Sequence, residues 1–434
     1  MSKRWTNALH DVIQDAAWRV LCTAATGHAR ASKAIVRPRG ARPRPAEVRK
    51  ICLFANIANL DNPHVPGLGD LISKNPFLNL VRQTYPNARL YCVAGPNLLR
   101  RYRDFMLKHG YIDEVVECPE LGSRAAGRWI ALIRHLRKQR FDLCLIDPSS
   151  AGLRAIQAYL CGIPERVGVP LDRHEALFLN RVVAVDYGRA ERFPDLLDSI
   201  RAFAEAAGVS EPLHAYEPPR CFPYVSQDAA ENNPGLLIAV HVGGDAHWNR
   251  RWPLAHYREL CSRLCRIEGV GVVLVGGASE TAEICSLRAE VIAADPNADI
   301  HDASGGTLNQ MAAHLDRASL FVGNDSAPMH IAAALGKPVI VPSGPIGAEL
   351  WQRLYSARVV RSGHSCNQPS EFSSRRHVLR QFSCAQFNCP YSYDPLAPTY
   401  PRCLSDIDVG QVWNAVEEWL APRRAILAGD DFGH

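Results

Sequence analysis

Strand-length apolar runs alternate with longer stretches of helical period from residue 51 onward. In the first half, Ile51 to Ala55, Arg89 to Val93, Glu114 to Glu117 and Leu143 to Ile146 read as strands, the last stopped by Asp147-Pro148. Between them, Leu78 to Tyr85 (ended by Pro86), Leu98 to Lys108 and Trp129 to Lys138 read as helices. A polar, Pro-bearing stretch, Glu217 to Pro234, interrupts the rhythm, which then restarts. The second half predicts strands at Leu236 to Val242, Val270 to Val275, Leu320 to Val322 and Val339 to Pro342. Its helices are expected at Leu254 to Ile267, Thr281 to Ile292, Leu308 to Leu315 and His330 to Leu335, with a final one at Val409 to Leu420. Such βαβα alternation predicts an α/β fold of two Rossmann-like domains, each a parallel sheet covered by helices on both faces. A chain of 434 residues also exceeds what one hydrophobic core usually serves. The expected divisions are a basic arm at 1–48, a first domain at 49–225, a second at 226–408 and a closing helix and tail at 409–434.

Charge sharpens the first of these divisions. The formal net charge is +5, but residues 1–50 hold eleven Lys/Arg against three Asp/Glu, so the remainder is close to neutral. A basic arm on a near-neutral body argues against a nucleic-acid-binding domain. Arg37, Arg39, Arg42 and Arg44 alternate with Pro38, Pro43 and Pro45, the pattern of an extended linker. Before it, Trp5, Leu9, Val12, Ile13, Ala16, Ala17 and Val20 recur at helical spacing. That helix either packs on the body or lies on an anionic membrane surface, a peripheral contact.

No apolar run approaches the roughly 20 residues of a membrane-spanning helix. Asp11, Asp15 and Arg19 interrupt any signal-peptide core, so a cytoplasmic location is expected. Of fourteen cysteines, Cys52, Cys92, Cys144, Cys161, Cys261 and Cys265 sit in apolar runs and read as buried thiols of a reducing compartment. Cys366, Cys384, Cys389 and Cys403 are different, sharing the loop-rich stretch 362–405. Four thiols can hold Zn or Fe tetrahedrally, yet the spacing is irregular and contains no CxxC pair. A structural metal and four buried thiols both remain open.

The candidate chemistry lies just beyond the predicted strands, where ligands bind open α/β sheets. Gly67-Leu68-Gly69-Asp70 precedes a helical pattern; Asp70 is either a carboxylate favoured by the helix dipole or a general base. Gly243 and Gly244 end a strand and lead to Arg250-Arg251-Trp252-Pro253, glycines permitting close backbone approach and the arginines suiting a diphosphate. Glu280 follows Gly276-Gly277 and reads as a ribose-binding acid or a capping carboxylate. The strongest local signal is Gly323-Asn324-Asp325-Ser326-Ala327-Pro328-Met329-His330, a strand running into an Ala-rich helix. Such a helix start offers free N–H groups to an anion, with Asp325 and Ser326 as caps and His330 one turn in.

Taken in order, these segments resemble the ADP-heptose:lipopolysaccharide heptosyltransferases of glycosyltransferase family 9. The resemblance is carried by Gly67 to Ile72 with Pro76, Tyr85-Pro86, Asp142 to Asp147 and Gly162 to Gly168. It continues through Arg251-Trp252-Pro253, Asp302 to Gly305 with Thr307-Leu308, Gly323 to Leu335 and Gly344-Pro345. It implies a GT-B fold, two Rossmann-like domains facing a cleft, and inverting transfer of heptose from ADP-heptose with no metal required. On the family pattern Asp70 is the catalytic base and Arg250 replaces a Lys that pairs with the donor phosphates. Asp325, Ser326 and His330 match the segment contacting donor sugar and diphosphate, and Glu280 the ribose-binding acid. Departures are Arg250 itself, Ala327 in place of a Gly, and a lengthened loop at 56–66. Some relatives that modify proteins carry a cysteine-bound metal in the region of Cys366 to Cys403.

The resemblance implies as partners a nucleotide-diphosphate sugar and a glycan, lipid-linked or protein acceptor. Natural-product glycosyl transfer and protein modification share the architecture. So do nucleotide-sugar 2-epimerases, which have no use for an acceptor-side base such as Asp70. No strict GxGxxG follows the first strand, which argues against a simple dehydrogenase.

Overall fold

The computed structural model describes residues 45–54, 68–118, 126–146, 154–168, 175–183, 196–208, 235–244, 251–344, 355, 357–363 and 400–423. The arm expected at 1–48 lies outside them up to residue 44, as do Arg250, Cys366, Cys384 and Cys389. The chain divides into two compact units, one for each sheet.

The first unit carries β1 (Lys50–Phe54), α1 (Leu68–Ile72), α2 (Asn75–Thr84), β2 (Arg89–Ala94), α3 (Pro96–His109) and β3 (Glu114–Glu117). It continues with α4 (Ala126–Gln139), β4 (Leu143–Ile146), α5 (Arg154–Leu160), β5 (Glu165–Gly168) and β6 (Arg181–Val182). After these comes α6 (Leu196–Ala207). All strand pairs are parallel, in the order β3-β2-β1-β4-β5-β6. The central strands β1 and β4 are buried almost throughout, the reason their sequences are unbroken apolar runs. α2 begins with Pro76 in its first turn, where the missing N–H costs nothing. From its far end α6 returns to α2: Phe203 meets Phe77 edge-on at 4.8 Å, and the buried Tyr85 hydroxyl donates to the Ala207 carbonyl at 2.7 Å.

The second unit carries β7 (Leu236–His241), α7 (Leu254–Leu264), β8 (Val270–Gly276), α8 (Thr281–Ala294), β9 (Ile300–Ser304) and α9 (Leu308–Arg317). β10 (Leu320–Gly323), α10 (Ala327–Ala334), β11 (Val339–Pro342) and β12 (Arg358–Val360) follow, with α11 (Arg402–Ser405) and α12 (Val409–Leu420) closing the unit. Its sheet is also parallel, ordered β12-β11-β10-β7-β8-β9. Burying an aliphatic side chain contributes about 1.5–3 kcal/mol, so β8 needs no polar face: Val272, Val273, Leu274 and Val275 are all buried. α7 buries Tyr257, Leu260, Cys261 and Leu264, one helical stripe, and α12 packs beside it through Val412 and Val416. α9 and α12 start at capping boxes, Thr307 with Gln310 and Asp408 with Gln411, which set their first residues.

Four strands escape the hydrophobic pattern: β5, β6, β9 and β12. Each is short or peripheral, and β9 (Ile-His-Asp-Ala-Ser) buries only Ile300. An edge strand with so little apolar surface carries no period-2 signal. Among the described residues no helix is long and apolar enough to cross a membrane.

Candidate functional site

Strand order places the site. In both sheets the chain begins at a central strand, builds outward to one edge, then returns to build toward the other. The reversal falls between β1 and β4 in the first unit and between β7 and β10 in the second. Connections leaving the carboxyl ends of such strand pairs diverge, opening a crevice where ligands bind. Gly243 and Gly244 leave β7, and Asn324, Asp325 and Ser326 leave β10, so these residues flank the second reversal. Glu280 follows β8, the other neighbour of β7. Asp70 lies in α1, after β1 and beside the first reversal; its side chain is outside the described residues.

Asn324 is the pin of the second site. It is fully buried, and its amide nitrogen donates to the carbonyls of Val242 at 3.0 Å and Gly243 at 2.7 Å. Its oxygen accepts from the Trp252 amide at 2.9 Å and the Tyr257 hydroxyl at 2.8 Å. Every hydrogen-bonding position of the side chain is used. One residue therefore ties the end of β10 to the end of β7 and to the start of α7. Trp252, buried edge-on against Tyr257, adds a bond from its indole N–H to the Ile407 carbonyl at 2.8 Å.

Glu280 is the second organiser. Its Oε1 accepts from the Gly244 amide and its Oε2 from the Gly277 amide, both at 2.7 Å. Oε2 also lies 3.2 Å from His241 Nε2. The carboxylate fits because Gly243 has no side chain: a Cβ there would stand 1.8 Å from Oε1. Burial pushes the Glu280 carboxyl up, but the hydrogen bond and charge of His241, with the Gly277 and Gly244 amides, more than offset this and hold it below its ordinary value. An ionised Glu280 only accepts, so His241 Nε2 carries a proton.

His241 is buried at the end of β7 and passes the connection on, its Nδ1 lying 3.0 Å from Ser326 Oγ. The same hydroxyl donates to the Asn324 carbonyl at 3.1 Å, so Ser326 joins the ends of β7 and β10. Ser326 occupies the N-cap of α10 with extended backbone but gives no side-chain cap to its own helix. The first turn of α10, in which Pro328 has no N–H, thus keeps the N–H groups of Ala327 and Met329 for another acceptor. Asp325 Oδ1 stands 3.7 Å from His330 Nε2, and His330 Nδ1 is 3.3 Å from the Tyr355 hydroxyl, all three side chains at least mostly buried.

The arginine pair expected to meet a diphosphate divides. Arg251 Nη1 donates to both carboxylate oxygens of Glu283 at 3.0–3.1 Å, and its Nη2 donates to the Gly244 carbonyl at 2.9 Å. It is a strut for the glycine loop; Arg250 lies outside the described residues. Of the four cysteines considered for a metal, only Cys403 is described, buried in α11. His241 and Tyr257 were missed in the sequence, and Asn324 stood within the Gly323 to His330 segment without a role of its own. The available signal was a polar residue ending an otherwise apolar strand, at His241 and again at Asn324.

Two sheets with one strand order, each reversing beside its first strand, define a paired Rossmann-like protein of the GT-B class. Residues 129–375 match the model of glycosyltransferase family 9 (heptosyltransferase), and the chain belongs to that family. It is thus a glycosyltransferase. It is 26% identical over 310 residues to lipopolysaccharide heptosyltransferase 2 of Escherichia coli strain K12, covering 68% of this chain and 85% of that protein. The solved structure of E. coli ADP-heptose lps heptosyltransferase II superposes with a TM-score of 0.51 at 22% identity, over 78% of this chain and 98% of that one. A glycosyl transferase family 9 structure from Veillonella parvula gives 0.55 at 19% identity, over 86% and 98%.

Proposed function

We propose that this glycosyltransferase moves a heptose from ADP-heptose to a hydroxyl of a lipopolysaccharide-core glycan, with inversion and without a divalent cation. The observation that carries the reading is the second reversal point, where the uncapped start of α10 faces the Gly243–Gly244 loop. The names of the relatives supply the sugar and the acceptor class. In this reading the diphosphate sits against the first turn of α10 and the glycine amides, with Arg250 as its cation. Asp325 and His330 meet the sugar side, and the backbone N–H groups that follow Ser326 a phosphate oxygen. Glu280 has about four acceptor positions as a carboxylate, of which three are occupied, leaving one on Oε1 for a ribose hydroxyl.

In the transfer step Asp70 takes the proton of the acceptor hydroxyl as its oxygen attacks the anomeric carbon. The bond from that carbon to the diphosphate breaks, and ADP leaves with the electron pair. The helix start and Arg250 stabilise the charge gathering on it. That is the service a divalent cation gives elsewhere, so none is required.

Calorimetric titration of the full chain with ADP, GDP, UDP and dTDP, without added metal, tests the reading. Selective ADP binding, weakened in Arg250→Ala, is the expected result. Preference for UDP or dTDP would discard ADP-heptose as donor, and absence of binding to all four would sink the assignment.

A further inference from the structure

Arg154 opens α5, directly after the strand that flanks the first reversal, and it is only 5% exposed. Its Nη1 donates to Gln157 Oε1 at 2.8 Å and lies 3.7 Å from the Cys118 sulfur, and its guanidinium sits 5.7 Å from the centre of the Trp129 ring. No carboxylate among the described residues forms an ion pair with it. Burial pushes the Cys118 thiol up to about 11, so that group is neutral and no counter-charge. Arg154 Nε, Gln157 Nε2 and Trp129 Nε1 are all buried without a hydrogen-bond partner.

A buried charge normally carries its partner with it, and a buried donor its acceptor. Here a buried cation carries one unsatisfied donor of its own, two more lie on the side chains it touches, and none of the three atoms can accept. Their common complement is an anion rich in acceptor oxygens. The cluster lies at the carboxyl edge of the sheet, between the connections leaving β3 and β4. Asp70 lies in the connection leaving β1, which neighbours β4. We infer that Arg154, Gln157 and Trp129 form an oxyanion subsite that receives a phosphate or carboxylate carried by the acceptor, fixing which hydroxyl is presented to Asp70. This rests on the reading of the first unit as the acceptor side.

The test uses full-length protein saturated with ADP, so that the donor site cannot take up the probe. Thermal unfolding is followed against inorganic phosphate and, separately, acetate at matched ionic strength. One of the two raises the midpoint of the wild type in a concentration-dependent way, phosphate marking a phosphorylated acceptor and acetate a carboxylated one. Arg154→Met keeps the volume, removes the charge and abolishes the response, while Arg154→Lys retains part of it. Gln157→Leu, which leaves the charge in place, weakens the response several-fold. With a competent acceptor, Arg154→Met raises the acceptor KM by roughly 30-fold or more, as for a buried charge losing its partner. The donor KM stays as it was. A wild type insensitive to both anions overturns the inference, as does an Arg154→Met or Gln157→Leu protein that responds like the wild type. Anion response is read without any transfer and ADP selectivity without any anion, so failure of one assignment is distinguishable from failure of the other.

Discussion

The two reversal points share a strand order and differ in how complete they are. At the second, the organising side chains are nearly all satisfied: Asn324 uses every hydrogen-bonding position and Glu280 three of about four, with Arg251 Nε the buried donor left over. At the first, Arg154, Gln157 and Trp129 hold buried donors with no acceptor. A polar network finished without ligand is rigid and fixes one arrangement of its loops. An unfinished one is stabilised when a ligand supplies the missing oxygens. The comparison teaches that one topology serves both a site organised in advance and a site that its substrate completes. For a transferase this division is apt, since the donor's shared nucleotide must meet a fixed frame and the acceptor brings its own chemistry.

The sharpest way to break the comparison is at Asp70. Asp70→Ala is expected to lower the transfer rate by about 100-fold to 10,000-fold, the range for loss of a general base. ADP affinity measured by calorimetry should stay at the wild-type value. If both fall together, the division of labour between the units is wrong.

Asn324→Leu comes next, acting on the second unit alone. It leaves the Trp252 amide, the Tyr257 hydroxyl and two carbonyls without their partner. The expected destabilisation is about 3 kcal/mol or more, read as a lower denaturant midpoint together with weakened ADP binding. An unchanged midpoint would mean that the pin is dispensable.

The smallest effect is at Glu280, whose folded carboxyl is held below its ordinary value of 4.5. A depressed carboxyl contributes stability above its unfolded pKa and loses it as pH falls through the folded one. The wild type should therefore lose stability as pH drops from 4.5 downward, and Glu280→Gln should lack that part of the acid slope. Denaturant midpoints across the acid range decide it. Equal slopes would remove Glu280 from the network that organises the loops.

Legibility in the sequence followed burial. β7, β8 and β10 were readable because both faces are covered, so that nothing but apolar residues is tolerated there. β9 and β12 were not, because an edge strand such as Ile-His-Asp-Ala-Ser can be built from residues that also make loops. At the site, Gly243, Gly244, Glu280, Asp325, Ser326 and His330 stood out as polar or glycine positions following buried strands. What they do for one another was hidden. His241 contacts Glu280 from 39 residues away and Ser326 from 85, pairings that no local pattern encodes. Arg154 looked like one arginine among many until its burial and missing partner were known.

The bond from Tyr85 to Ala207 joins residues 122 apart and has a bearing on synthesis. A chain emerging from the ribosome adds roughly 5–20 residues each second. The sheet of the first unit is complete in sequence at Val182, but α6 is still to come. Until Ala207 has cleared the exit tunnel, Phe77 lacks the ring that covers it and the Tyr85 hydroxyl lacks its acceptor. Nascent chains of intermediate length thus present an apolar, half-finished flank, the kind of surface that chaperones hold. The shortest piece of the first unit able to fold by itself must reach beyond that helix.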